Sequence, residues 1–312
     1  MLYRERYGGS RVSKDPAKKG EPAEVGVWAK EKLDALARYL DFYTKVLKNK
    51  SWRTIYFDGF AGGGRAAIRR DQRPNDPPTL FEDDRSIDKD ERELIDGSPR
   101  VALSIPHQFD RYVFVDPDPV RSTELQVLQK EHGEKVVVLD STASEGVDWL
   151  LQQNIKKSTH RGIAFLDPFG AKLDWDSVAK LASTGLFEVI INFALDMSIV
   201  RVLANSAEFP ETWEARLDRY FGGHEWFDEV YHRPEELFGS GEMQKRHDYR
   251  ERLLELYRSK LREAFGHVST PRLIRNTRGA PLYYLLWAGP HKKGLEGANY
   301  ILTMGERLGR AD

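Results

Sequence analysis

Apolar residues gather in short, nearly continuous runs, and between the runs they recur every three or four positions. The runs RTIYFDGF, RYVFVDPD, KVVVLDST, RGIAFLDPFG and FEVIINFALD predict five strands buried on both faces. The stretches VRSTELQVLQKEH, GVDWLLQQNI and WDSVAKLAS predict the helices between them. A longer helix is predicted ahead of the first strand, over 27–48, with Leu33, Leu36, Ala37, Leu40, Tyr43 and Leu47 along one side. GSPRVALSI predicts another, with Ser98 as N-cap and Pro99 at the first helical position. Strands alternating with helices define an α/β fold, a mostly parallel sheet covered on both faces.

Three stretches leave this pattern. Residues 1–26 are rich in Gly, Lys and Pro and read as a flexible basic arm. Residues 66–97 are dense in Asp, Arg and Pro and read as a long loop or lid inside a core spanning 27–198. Residues 199–266 read as a helical insertion. The segment 267–312 then completes the core with TPRLIRNTRGAPLYYLLWAG, two strands around a glycine-containing turn, and a closing helix from about Leu295.

Composition narrows the classes. The 312 residues carry a formal net charge of −1, so no global basic field holds a polyanion, although a local patch stays open. With no cysteine, disulfides, thiolate metal sites and cysteine nucleophiles are excluded. The eight histidines show no ligand spacing, and no metal site is expected. No apolar run reaches membrane-spanning length and the first twenty residues are polar, so the expectation is a cytoplasmic protein with no membrane segment.

The chemistry lies at the strand ends. Four consecutive strands close on an acid: Asp58, Asp116, Asp140 and Asp167. One such acid suits a helix cap or an Asx turn. Four at the edge where a parallel sheet binds its ligands form an array that repels itself unless something satisfies it. The first acid precedes Gly59, Gly62, Gly63 and Gly64, a spacing that is neither G-x-G-x-x-G nor a phosphate-cradling loop. An acid just before the glycines suits an amine or a sulfonium better than a pyrophosphate. That favours S-adenosyl-L-methionine over NAD or ATP. Arg65, next to the glycines, is either a partner for the cofactor carboxylate or a solvated side chain. Asn192 and Asp196 fall near the end of the fifth strand, as caps or as substrate contacts.

The register D-x-F-x-G-x-G, filled by Asp58, Phe60, Gly62 and Gly64, resembles the first motif of the class I methyltransferases, in the variant found in enzymes that methylate amines of nucleic-acid bases. The resemblance implies a Rossmann-like sheet with an antiparallel last strand. It implies that Asp116 receives ribose hydroxyls and that Asp140, with Ser141 beside it, reads the adenine amine. LDPFG is similar to the (D/N)-P-P-(Y/F) element, which makes Asp167, Pro168 and Phe169 the catalytic candidates. It departs from that element by lacking the second proline, which changes how a backbone carbonyl is presented to an amine. Phe169 is left with two roles, stacking on a base or packing under the sheet edge. In that fold the first helix often covers the cofactor, which brings Trp28, Lys30 and Lys32 into consideration.

The series KLDALARYLDFY, YFDGFAGGGR, GSPRVAL, FVDPDP, LDPFG, VIINFALD and LLWAGPHKKGLE is similar over roughly 28–302 to the bacterial three-Cys-motif partner (TcmP) family. That resemblance implies a methyltransferase-like fold and a partner protein carrying a three-cysteine motif. Two readings stand: a methyltransferase, with a nucleic-acid base as a possible acceptor, or a non-catalytic partner subunit that keeps the fold.

Overall fold

The computed structural model describes residues 23–25, 28–68, 94–168, 170–205, 207–236, 239–240, 242–276 and 279–304. The main sheet contains β1 (Arg53–Asp58), β2 (Arg111–Val115), β3 (Val136–Leu139), β4 (His160–Leu166) and β5 (Phe187–Phe193). It is completed by an edge strand β6 in two pieces (His267–Val268 and Arg272–Arg275) and by β7 (Pro281–Gly289). Across the sheet the order is 3-2-1-4-5-7-6. Strands β1 to β5 are parallel, and β7 runs antiparallel to both β5 and β6. The fold is α/β, a mostly parallel sheet with an antiparallel strand near one edge.

Alternation along the strands sorts side chains onto two faces. Tyr56, Tyr112, Phe114, Ile163, Phe165, Ile190, Leu285 and Trp287 build one core with α1 (Trp28–Leu47), α2 (Ser98–Ser104), α3 (Pro119–His132) and α9 (Lys292–Thr303). Phe57, Val113, Val115, Ala164, Leu166, Val189, Ile191 and Phe193 build the other with α4 (Ala143–Gln152), α5 (Trp175–Ser183), α6 (Glu211–Phe221), α7 (Glu225–Val230) and α8 (Tyr249–Phe265). Helix α4 starts with a full capping box, Thr142 with Glu145, so it leaves β3 at a fixed angle.

Where the fold departs from expectation, the reasons are local. The arm ends in a strand, Ala23–Val25, parallel to Arg65–Ile68, and Arg65–Ile68 pairs antiparallel with Leu94–Asp96. The two ends of the expected 66–97 loop are therefore strands, and 69–93 lies outside the described residues. Ser98 does not cap α2. Gly97 holds that position, because a side chain there would meet the Gly64 backbone at 3.2 Å. The insertion is not wholly helical either, since Tyr231–His232 pairs with Gln244–Lys245 and Glu235–Glu236 with Gly239–Ser240. Its α6 and α8 are anchored by aromatic packing, with Tyr257 stacked on Phe193 of β5 at 4.7 Å between ring centres.

Candidate active site

The site is built where the strands end on the α1 face. Asp58 closes β1 and is fully buried. It accepts from the Phe60 N–H at 3.3 Å and the Tyr56 hydroxyl at 3.2 Å, and the Ser98 side chain adds a third hydrogen bond. Burial outweighs these donors and, with the Asp167 charge nearby, pushes its carboxyl up to about 7. Ser98 is thus a ligand of Asp58, a role that its place before a proline did not suggest.

The glycine loop is laced to its neighbours by backbone. Gly59 N–H donates to the Phe165 carbonyl (3.0 Å), Ala61 N–H to Val115 (2.9 Å) and Gly97 N–H to Gly64 (3.0 Å). Gly62 and Gly64 have φ of +61° and +76°, conformations open to glycine. Gly62 also looks into open space, with nothing within 4 Å of where a Cβ would stand. Gly63 is confined for another reason, because a Cβ there would meet Glu124 Oε2 of α3 at 1.7 Å.

Asp116, at the end of β2, is buried and accepts from the Gly62 N–H at 3.0 Å through Oδ2 and from the Asp118 N–H at 2.9 Å through Oδ1. Arg121 stands 3.9 Å away. Burial raises its pKa, and the two N–H donors and the arginine work against that shift. Asp140 is exposed at the end of β3. Ser141 beside it places its hydroxyl 3.4 Å from the Thr142 carbonyl.

Asp167 follows β4, one rung beyond the Leu166–Ile191 pairing, and this brings it beside Asn192 of β5. Asn192 donates its amide to Asp167 Oδ1 at 2.5 Å. Lys32, from the first turn of α1, is ion-paired to Asp167 Oδ2. Pro168 is buried, and Phe169 lies outside the described residues. Asp196 faces elsewhere: it sits on the π-helical turn Leu195–Ile199 and pairs with Arg250 of α8 at 2.8 Å.

Phe60 is partly buried against the α4–α8 core and its contribution to the site is its backbone N–H. Asp58, Asp116 and Asp167 therefore sit on one face of the sheet edge, with Asp140 on the rim. Nothing local in the sequence joins Lys32 or Asn192 to Asp167. Their positions at the start of a helix and near a strand end were visible, but not their partner. Among the described residues no group of three or more His, Cys, Asp or Glu is placed to hold a metal. None of the described helices is long and apolar enough to cross a membrane.

No family model matches the chain, and no curated protein is similar to it. Solved structures align with it at low similarity. Protein LPL1258 from Legionella pneumophila is 14% identical over 82% of this chain and 97% of its own, with a TM-score of 0.39. Magnesium protoporphyrin IX methyltransferase from Synechocystis, solved with bound SAH, is 13% identical over 83% and 87%, with a TM-score of 0.33. The bifunctional kinase-methyltransferase WbdD is 12% identical over 84% of this chain and 40% of its own, with a TM-score of 0.37. Likeness at this level carries no argument about activity, and the fold assignment rests on the chain's own strand order.

Proposed function

We propose that the chain is an S-adenosyl-L-methionine-dependent methyltransferase of the Rossmann-like class, acting on an amine of a nucleic-acid base and working with a three-Cys-motif partner protein. The observation that carries the cofactor reading is the joint between Gly62 and Asp116. A buried acid fixes a glycine loop whose outer side is open, at the sheet edge where parallel sheets bind ligands.

The residues present fit the cofactor. Asp116 is fixed from both sides, so it can receive paired hydroxyls without rearranging. Asp140 is exposed one strand further on, within the same edge, and free to accept from an amine. When bound, the cofactor supplies a methyl group made electrophilic by its sulfonium. The chain's own work is positioning. Asp167 accepts a hydrogen bond from the acceptor amine, turns its lone pair outward and takes up its proton. Asn192 holds the Asp167 carboxylate in one orientation. The partner and the base rest on the family resemblance and on the acid at Asp167.

Isothermal titration with S-adenosylhomocysteine tests the reading. Binding by the wild type, lost in Asp116→Ala, is expected, and absence of heat with wild-type protein would sink it. One observation favours the non-catalytic alternative, namely that Asp167 is already paired with Lys32. Methyl transfer to mixed DNA and RNA, assayed with and without the co-purified partner, separates the two.

A further inference from the structure

Lys32 covers more than a carboxylate. Its ammonium is paired to Asp167 Oδ2 and also stands 5.5 Å from the centre of the Tyr283 ring. The side chains of Lys32 and Asp167 are 12% and 22% exposed, so the pair is mostly covered but keeps contact with water. Beside it, the Asn192 carbonyl oxygen Oδ1 is buried and has no hydrogen-bond partner, while the nitrogen of the same amide is spent on Asp167. A buried acceptor left unpaired costs about 1–3 kcal/mol. An ammonium carries three N–H donors, yet Lys32 in this position does not serve Asn192 Oδ1. Asp167 and Asn192 together offer one acceptor more than Lys32 satisfies.

The first turn of α1 is also held differently from the rest of the helix. From Ala35 onward Ala35, Leu36, Tyr39 and Leu40 are fully buried. Ahead of them Ala29 is buried, Lys30 is exposed, and Trp28, Glu31 and Lys32 are half-buried. Two ion pairs tie this turn down, Lys32 to Asp167 and Glu31 to Arg272 of β6. The contacts that hold the Lys32 ammonium are the Asp167 carboxylate and the face of the Tyr283 ring, so its release breaks one ion pair and one cation–ring contact.

We propose that Lys32 is a removable stopper on Asp167. It neutralises the acid in the free protein, and it withdraws when an acceptor group with at least two N–H donors enters, one for Asp167 and one for Asn192 Oδ1. This inference rests on the methyl-transfer reading of the same site, and it makes Lys32 a positioning residue that sets which acceptors enter. A single-stranded nucleic acid with an exocyclic base amine is the class that meets the donor requirement under that reading.

The test is native-state labelling of lysines with formaldehyde and cyanoborohydride, read residue by residue by peptide mass spectrometry. In the free protein Lys32 is expected to react roughly tenfold or more slowly than exposed Lys30 in the same turn. Short oligo(dA) or oligo(dC) brings Lys32 close to the Lys30 rate. Oligo(dT), which has the same phosphates and no exocyclic amine, leaves it slow. Lys32→Met is expected to bind oligo(dA) roughly tenfold tighter than wild type, and Lys30→Met is not. The proposal is overturned if Lys32 reacts as fast as Lys30 in the free protein, if oligo(dT) releases it as well as oligo(dA), if no oligonucleotide releases it, or if Lys32→Met gains no affinity. Titration with S-adenosylhomocysteine on the same preparation separates the two ideas. Cofactor heat without release of Lys32 defeats the stopper alone, and release without cofactor heat defeats the methyltransferase reading alone.

Discussion

The Gly62 N–H donates to Asp116 Oδ2 across 3.0 Å, joining the turn after β1 to the end of β2. The other oxygen of the same acid is taken by the Asp118 N–H. Asp116→Asn keeps the volume but turns an N–H group toward one of these donors. The expected result is a loss of about 1 kcal/mol in urea unfolding. Affinity for S-adenosylhomocysteine, measured by titration calorimetry, is expected to fall roughly tenfold or more as the loop loses its anchor.

Gly63 and Glu124 make a second pair that can be tested without any ligand. A methyl group at position 63 meets the Glu124 carboxylate where it stands. That carboxylate is the free end of a flexible side chain and can swing aside, so Gly63→Ala is expected to stay within about 1 kcal/mol of wild type. Chemical unfolding of Gly63→Ala, alone and with Glu124→Ala, measures the coupling, and a loss well above that in the single variant would show that the Glu124 side chain is held in place.

Glu188 is buried in the sheet and accepts from the Tyr39 hydroxyl at 2.7 Å and the Trp287 indole N–H at 3.2 Å. Burial pushes its carboxyl up to about 7, with the two hydrogen bonds opposing the shift. The folded state therefore keeps a proton that the unfolded chain has already released, and stability falls as pH rises from the ordinary carboxylate range to about 7. Asp58 contributes a loss of the same sign over the same window. Glu188→Gln should match wild type near pH 4 and exceed it above pH 7 by an amount on the order of 3 kcal/mol, less whatever the weaker acceptor loses. Thermal melts across that range give the answer, and a variant less stable at every pH would show that the charged form is favoured.

Asn192→Leu removes the amide that orients Asp167 and also the unpaired oxygen beside it. Fold stability should change by less than about 1 kcal/mol, because an unsatisfied acceptor is lost together with one hydrogen bond. Methyl transfer, under the proposed function, should drop roughly tenfold or more through kcat rather than through cofactor binding. Unchanged kcat would remove Asn192 from the positioning of Asp167.

The strands and the acids that end them could be read directly, because both are local: an apolar run followed by Asp needs no knowledge of the rest of the chain. What could not be read are contacts between distant elements. Lys32 and Asp167 lie 135 residues apart, and nothing in the lysine's surroundings names its partner. Glu188 is one polar residue in an apolar strand, with nothing local to mark it. Its place depends on Tyr39, Trp287 and the room left by Gly289 and Gly294, where a Cβ would come within 2.9 Å of it or closer. Asp196 is expected near the end of the fifth strand as a cap or a substrate contact, but the π-helical turn after β5 carries it toward Arg250. The glycines of the tract also differ in surroundings that spacing does not show, since Gly63 lies against α3 and Gly62 alone of them faces open space.

Helix α1 is the second described element of the chain, yet its partners come from the far end. Tyr39 needs Glu188 and packs against Trp287, Glu31 needs Arg272, and the helix lies against α9. During synthesis Glu31 and Tyr39 emerge long before Glu188, Arg272 and Trp287 can meet them, whereas Tyr43 finds Phe109 much sooner. Full docking of α1 around Tyr39 therefore waits until β7 and α9 have left the ribosome, and the contacts of this helix close late in folding.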